Sequence, residues 1–505
     1  MSSMSAGHSL FEGRKWILAA LLAIILSIPA CFFILPDSPG IILLFSLGII
    51  TCIAAILSVE KLLIFTVFAV PLSIQLRFIV PEVGADLFLP TEPVLAVIML
   101  VVIFKIIHGG EIDRRILYHP VTISAAVLLL WIFICALTGT MPVVSLKYLV
   151  TRIWFITGFY ILAAQVFMKK ERINQYFSAY LAGMTPVAIY YLVRLSMYGV
   201  LNQETAYSAI RPFFNDHTAL GASLAFSIPA AVFLLLRGGE RPFLRITRFA
   251  QLILLIIAFT YSYSRAAWIS LAAAGIVALV LWLRISWKII VAVSVTACII
   301  AVVSWSSLFI RLNENRQDSS LDFRKQVVSI TNIKTDASNL ERLNRWNSAI
   351  RMAAERPVFG WGPGTYQFTY APFQLSYEKT RISTIWGERG NAHSEYLGLM
   401  SETGVPGMII YIVLLGFILR SGISQLKKAD GREARLMYLC LVAGLTTYII
   451  HGGLNNFLDT DKISAMFWGM TAVIVANDTA GKSLQEDDQN SSAAMIETSS
   501  NSPGL

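Results

Sequence analysis

The sequence predicts an all-α protein: a polytopic transmembrane helical bundle of about fourteen spans, carrying a large, partly helical loop on its outer face. Three observations predict it. Of 505 residues, 56% are hydrophobic and 14% charged, and the mean hydropathy is +0.65, too apolar and too poor in charge for a soluble globule. Apolar runs of about 17 to 25 residues, long enough to cross a ~30 Å hydrocarbon core as helix, recur from Trp16 almost to the C-terminus. These runs lack the period-two alternation of barrel strands, and a backbone in lipid must satisfy its own hydrogen bonds, so they are read as helices.

In order, the spans fall at about 16–35, 40–58, 62–80, 91–108, 120–138, 148–168, 175–193, 218–236, 249–263, 267–283, 289–308, 403–419, 436–450 and 463–477. The first follows Arg14 and Lys15. It is too long for a signal peptide and has no small-residue cleavage site, so it reads as a retained span.

The loops test this count, because cytoplasmic loops carry the Lys and Arg. With the N-terminus inside, the inner loops hold Arg14 and Lys15, Lys61, Lys105 with Arg114 and Arg115, Lys169 with Lys170 and Arg172, Arg237 to Arg248, Arg284 with Lys288, and Arg420 to Arg435. The outer short loops hold Arg77, Lys147, Arg194, Arg211, Arg265 and Lys462. The bias is about three to one and keeps its sign at every crossing, which places both termini in the cytoplasm. The formal charge of +9 therefore describes orientation rather than an acidic partner.

Four regions follow: N-terminal helices over 1–308, an outer loop over 309–402, C-terminal helices over 403–477, and a Ser-, Asn- and Asp-rich tail over 478–505 that reads as disordered. The five cysteines all lie in apolar spans, which indicates neither a disulfide nor a thiolate metal site.

The loop is the longest part of the chain that must live in water. Ser338-Asn339-Leu340-Glu341 fits a capping box. Leu340, Leu343, Trp346 and Ile350 then share one helical stripe flanked by Arg342, Arg345 and Arg351, a pattern suited to lying on a membrane surface or on the mouth of the bundle. Glu355-Arg356-Pro357 ends that helix, and Gly360-Trp361-Gly362-Pro363-Gly364 demands a turn that glycine makes easily.

Ionisable residues collect at the outer ends of spans, where charge is costly: Arg152, Arg194, Arg211, Arg265, His217, His393 and His451. Arginine suits a pyrophosphate because its planar fork donates two parallel bonds and stays charged. Read singly, each arginine also fits a salt bridge or a lipid headgroup contact, and His393 a helix cap or loop position. No two histidines have close ligand spacing, and Asp459-Thr460-Asp461 is the only tight acidic pair on the outer side. The glycines at 360–364 are not followed by the lysine of a nucleotide-binding loop, which argues against a nucleotide as direct donor.

Together these segments resemble a known family. Arg345-Trp346 with Ala349, then Arg356-Pro357-Val358-Phe359-Gly360-Trp361-Gly362-Pro363-Gly364, His393-Ser394-Glu395-Tyr396-Leu397 and Glu402-Thr403-Gly404-Val405-Pro406-Gly407 look like the shared region of the O-antigen ligase and O-antigen polymerase superfamily. Upstream, Arg211-Pro212-Phe213-Phe214-Asn215-Asp216-His217 and Ser262-Tyr263-Ser264-Arg265-Ala266-Ala267 are similar to its arginine segments. The resemblance implies a multi-pass glycosyltransferase of the bacterial inner membrane. It would move a glycan from an undecaprenyl-pyrophosphate carrier to an acceptor hydroxyl of a glycan, a lipid A core or a protein at the periplasmic face. It would do so among membrane lipids, without nucleic acid, nucleotide sugar, cofactor or metal.

On that resemblance His393 is the general base and Arg211 and Arg265 hold the pyrophosphate, with Arg152, Arg345, Glu402 and His217 as supporting candidates. The family commonly has Asn after the histidine; here Ser394 stands there. A ligase and a polymerase on one scaffold remain alternatives. A transporter of the same lipid-linked sugar would scatter polar groups near the bilayer midplane, whereas these cluster beside the loop.

Overall fold

The computed structural model describes residues 58–78, 87–108, 112–199, 203–286, 337–380, 383 and 390–500, with side chains as far as Gly481. The spans expected at 16–35 and 289–308, nearly all of 40–58, and the loop at 309–336 lie outside the described residues.

The described chain is a bundle of helices: α1 (58–69), α2 (Thr91–Ile107), α3 (Arg114–Leu117), α4 (Pro120–Thr138), α5 (Pro142–Phe167), α6 (Lys170–Tyr198), α7 (Gln203–Ala209), α8 (His217–Leu236), α9 (Pro242–Thr260), α10 (Arg265–Trp282), α11 (Ala337–Glu355), α12 (Tyr366–Thr369), α13 (Glu395–Lys428), α14 (Arg432–His451) and α15 (Asp461–Ser500). Eight of them are long and apolar enough to cross a membrane. This is an all-α polytopic membrane architecture. Large apolar side chains such as Phe104 and Leu130, both 59% exposed, face outward where lipid would cover them.

Local sequence sets the helix starts. Pro120, Pro142 and Pro242 occupy first positions of α4, α5 and α9, where the missing amide costs nothing and φ is preset. Asp216 caps α8, its Oδ1 accepting the amides of Thr218 and Ala219 at 2.8 and 2.9 Å. Helix α5 contains a π-helical stretch at Thr157–Leu162, a departure often tied to a special packing or functional role.

Two span expectations need correction. The expected span at 62–80 ends early: a 3₁₀ turn at Val70–Leu72 contains Pro71, and Ile74–Gln75 (β1) pairs antiparallel with Phe88–Leu89 (β2). The polar pull is Ser73, whose hydroxyl donates to buried Asp461 at 2.6 Å. The return span expected from 403 begins earlier, at Glu395, so the Glu-Thr-Gly-Val-Pro-Gly motif lies inside α13 rather than at its start. Helix α15 also runs on to Ser500, through a tail that composition reads as irregular but that has neither Gly nor Pro between Lys482 and Ser500.

The bundle core joins α8, α10 and α14, with α4 against α13 and α15 against α5. Buried tyrosines tie it together: Tyr176 and Tyr180 donate to the carbonyls of Ala465 and Lys462 at 2.6 and 2.9 Å. The helices alternate in direction. The starts of α5, α8, α10, α13 and α15 and the ends of α4, α6, α9 and α14 therefore share one end of the bundle, and the basic loops at 108–120, 168–172, 237–248 and 428–435 share the other.

Candidate active site

Two sequence motifs lock together at the non-basic end. Helix α13 breaks at Gly404, where φ is 73°. The carbonyls released there, Ser401 and Glu402, accept the amides of Trp361 and Gly362 at 3.0 and 2.9 Å. Gly360, Gly362 and Gly364 all have positive φ, and a Cβ on Gly360 would sit 2.3 Å from the Glu402 carbonyl carbon. The glycine turn is thus a plug for a helix break. The Glu402 carboxylate reinforces it by accepting the Tyr366 amide at 3.0 Å.

Helix α11 lies on α13, at the bundle mouth, but the expected apolar stripe is not what it buries. Ile350 is 48% exposed. The buried face is polar: Glu341, Asn344, Arg345 and Ser348, with Ala349 and Met352 below. Residues 366–380 and Ser383 fold over this face and supply partners to it. Glu341 accepts from Arg345 at 2.7 Å, from Thr380 at 3.0 Å and from Ser383. Burial opposes its charge, yet the bonds from Ser383 and Arg345 hold the carboxyl below the ordinary glutamate range. Arg345, only 3% exposed, also lies 4.3 Å over the Tyr370 ring and reaches the Asn391 carbonyl at 3.4 Å. It is a strut for the histidine segment.

That segment is drawn tight. His393 has a left-handed φ of 49°, uncommon for a non-glycine residue. Its amide donates to Asn391 Oδ1 at 3.1 Å, and its carbonyl accepts from Trp346 Nε1 at 3.0 Å. Ser394 then caps α13, a role that Asn fills equally well, so the departure from the family pattern preserves the cap. The His393 imidazole lies with Nδ1 3.3 Å from Asn455 Oδ1, and Asn455 Nδ2 lies 3.3 Å from His451 Nε2. Burial, then Arg342 and Arg345, push the His393 pKa down to about 4, which leaves the ring neutral at physiological pH.

Around this ring the structure assembles more of the predicted residues. Arg342 interacts electrostatically with His217, His393 and His451; Asp216 does the same, and Arg265 acts on His217. His217 stacks on Tyr207 with centroids 4.1 Å apart. Arg211 is not among the charges acting on these histidines; its Nε donates to the Asn215 carbonyl at 3.2 Å.

Arg152 belongs elsewhere. It is bonded to the Leu458 carbonyl and to Tyr148 Oη, and with Glu402 it lines a cavity of about 540 Å³. That cavity borders the histidine segment at Asn391, Ala392 and Ser394. Sequence reasoning named His451 but missed Arg342 and Asn455. The signal for the latter was His451-Gly452-Gly453-Leu454-Asn455-Asn456, two amides set between apolar spans.

The protein is thus an α-helical membrane bundle with a histidine and arginines at one end, beside a partly helical loop. Residues 250–412, about a third of the chain, match the family described as O-antigen ligase. The matched stretch runs from α9 into α13 and holds Arg265, Arg342, Arg345, His393 and Glu402. No curated protein matches the chain.

Proposed function

We propose that the protein transfers a glycan from an undecaprenyl-pyrophosphate carrier to an acceptor hydroxyl at the periplasmic face of the bacterial inner membrane, as a ligase. One observation carries this reading: a neutral histidine and a group of arginines gather at the bundle end opposite the basic loops. The positive-inside rule puts that end outside the cytoplasm, where a lipid-linked donor is presented.

In the proposed reaction the His393 ring takes the proton of the acceptor hydroxyl as its oxygen attacks the anomeric carbon. The bond to the carrier's phosphate oxygen breaks, and the electron pair leaves with the pyrophosphate. Arg265 and Arg211 stabilise the charge that develops there. Attack opposite the leaving group inverts the anomeric centre. Arg345 and Glu402 act by holding the histidine segment and the glycine turn, and Arg342 is the added cation beside the ring.

The test is complementation of a strain lacking this protein with His393→Ala and, separately, Arg265→Ala, with surface glycan sized on a gel and membrane levels of each variant checked. Loss of polymer at undiminished protein level is expected. A bare lipid core indicates a ligase, and a single repeat on the core a polymerase. Full-length glycan from both variants overturns the proposal.

A further inference from the structure

We infer that Asn455 sets the tautomer of His393, fixing the proton on Nδ1 and leaving Nε2 as the basic nitrogen. The inference deepens, and rests on, the role proposed for His393 above. A neutral imidazole carries one proton, and only the other nitrogen can accept a second. In water that proton favours Nε2, so a base acting through Nε2 needs the opposite tautomer to be imposed.

Asn455 has the means. Its Oδ1, which can only accept, lies 3.3 Å from His393 Nδ1, so Nδ1 must bring the proton to this contact. The direction of the amide is set at its other end, where Nδ2, a donor only, faces His451 Nε2 at 3.3 Å. Asn455 is 1% exposed, so water does not compete for either contact. Its backbone is held as well: the Asn455 amide donates to the His451 carbonyl at 3.0 Å, and the Gly452 carbonyl accepts the Glu395 amide at 2.7 Å. This ties the end of α14 to the residue two beyond His393. A half-turn of the Asn455 amide would reverse everything, placing Nδ2 against His393 Nδ1, driving the proton to Nε2 and removing the lone pair the base needs. Asn455 is thus a positioning residue, acting through His393 rather than on substrate, in the way that an acceptor behind the histidine selects the tautomer in hydrolytic triads.

The experiment is solid-state NMR of the full-length protein, labelled with ¹⁵N-histidine and reconstituted in lipid at pH 7.5. The His393 resonances are those lost in His393→Gln. The expected spectrum shows a protonated Nδ1 and an unprotonated Nε2. Asn455→Leu, shown to be monodisperse, should return His393 to the Nε2–H form and cut glycan transfer on the order of ten- to a hundredfold. Asn455→Asp retains the acceptor oxygen. It should keep Nδ1 protonated, restore most of the transfer, and move the acid limb of the pH–rate profile upward because its charge favours imidazolium.

A protonated Nε2 in the wild-type protein overturns the inference, whether or not the leucine variant folds. So does a folded Asn455→Leu whose His393 remains in the Nδ1–H form. A His393→Gln strain that still builds full surface glycan would remove the proposed catalysis while leaving the tautomer result standing, so the two readings fail separately.

Discussion

Gly362 donates its amide to the Glu402 carbonyl at 2.9 Å, joining a glycine-rich turn to the break in a membrane helix forty residues later in the chain. With the neighbouring bond from Trp361 to Ser401, it satisfies carbonyls that a kinked helix would otherwise bury unpaired. The turn comes so close because its glycines have no Cβ.

Gly360→Ala should therefore unfold the mouth of the bundle. The position has φ of 65° and no room beside Glu402, so the cost is expected to exceed about 1–3 kcal/mol of backbone strain alone. Gly416→Ala is the control, with open space around its Cβ in a regular part of α13. It should be neutral or stabilising by about 0.5–1 kcal/mol. Thermal melting of the detergent-solubilised proteins compares the two.

The Glu341–Arg345 pair, both side chains about 95% buried, should respond strongly to loss of one partner. Arg345→Met leaves Glu341 charged without its partner, at an expected cost of about 3–5 kcal/mol. Because Arg345 also braces Asn391, limited proteolysis should cut within residues 366–380 first in this variant. A protease map unchanged from wild type would show that the strut is dispensable.

Ser394 offers a milder test. Ser394→Asn should keep both stability and transfer, because either residue caps α13, whereas Ser394→Ala should cost about 1 kcal/mol. A large loss of transfer in the stable asparagine variant would assign Ser394 a role beyond the cap.

Acid should weaken the fold in a defined window. The folded pKa of His393 lies at about 4, against an ordinary value of 6.5. As pH falls through 6.5 the unfolded chain takes up a proton that the folded chain refuses, so stability drops between pH 6.5 and 4. Glu341, held below its ordinary value of 4.5, contributes stability above that pH and loses it as pH falls through its folded value. The two effects have the same sign. Melting temperature against pH should slope downward below 6.5, and His393→Gln should flatten the upper part of that slope.

Catalysis should follow the same group with a further shift. In the free enzyme kcat/KM should stay level from pH 8 to 6 and fall only on approach to about 4. A bound anionic donor favours imidazolium, so the acid limb of kcat should lie at higher pH than that of kcat/KM. Coincident limbs at the ordinary histidine value would mean that the titrating group is not the buried His393.

Much of this protein was legible in one dimension. The apolar run at 120–138 is helix α4 to the residue, and the three glycines of 360–364 act locally, through their own φ. Local rules read such features because the interacting atoms are close in sequence. The stripe on α11 misled for the opposite reason. A polar face over Glu341, Asn344 and Arg345 is buried only because a segment thirty to forty residues later supplies Gln374, Thr380 and Ser383 as partners.

The sequence by itself determined a helical membrane protein, the gathering of its basic residues in alternate loops and the motifs that resemble a known family, since hydropathy, charge and residue order are properties of the chain. Only the tertiary structure decided that Arg152 lines the cavity beside the histidine segment while Arg265 and Arg342 act on the buried histidines. It also decided that the acceptor behind His393 is Asn455, sixty-two positions away. Hydrogen bonding of this kind depends on a few ångströms and an angle, and those are fixed only when helices distant in sequence pack side by side.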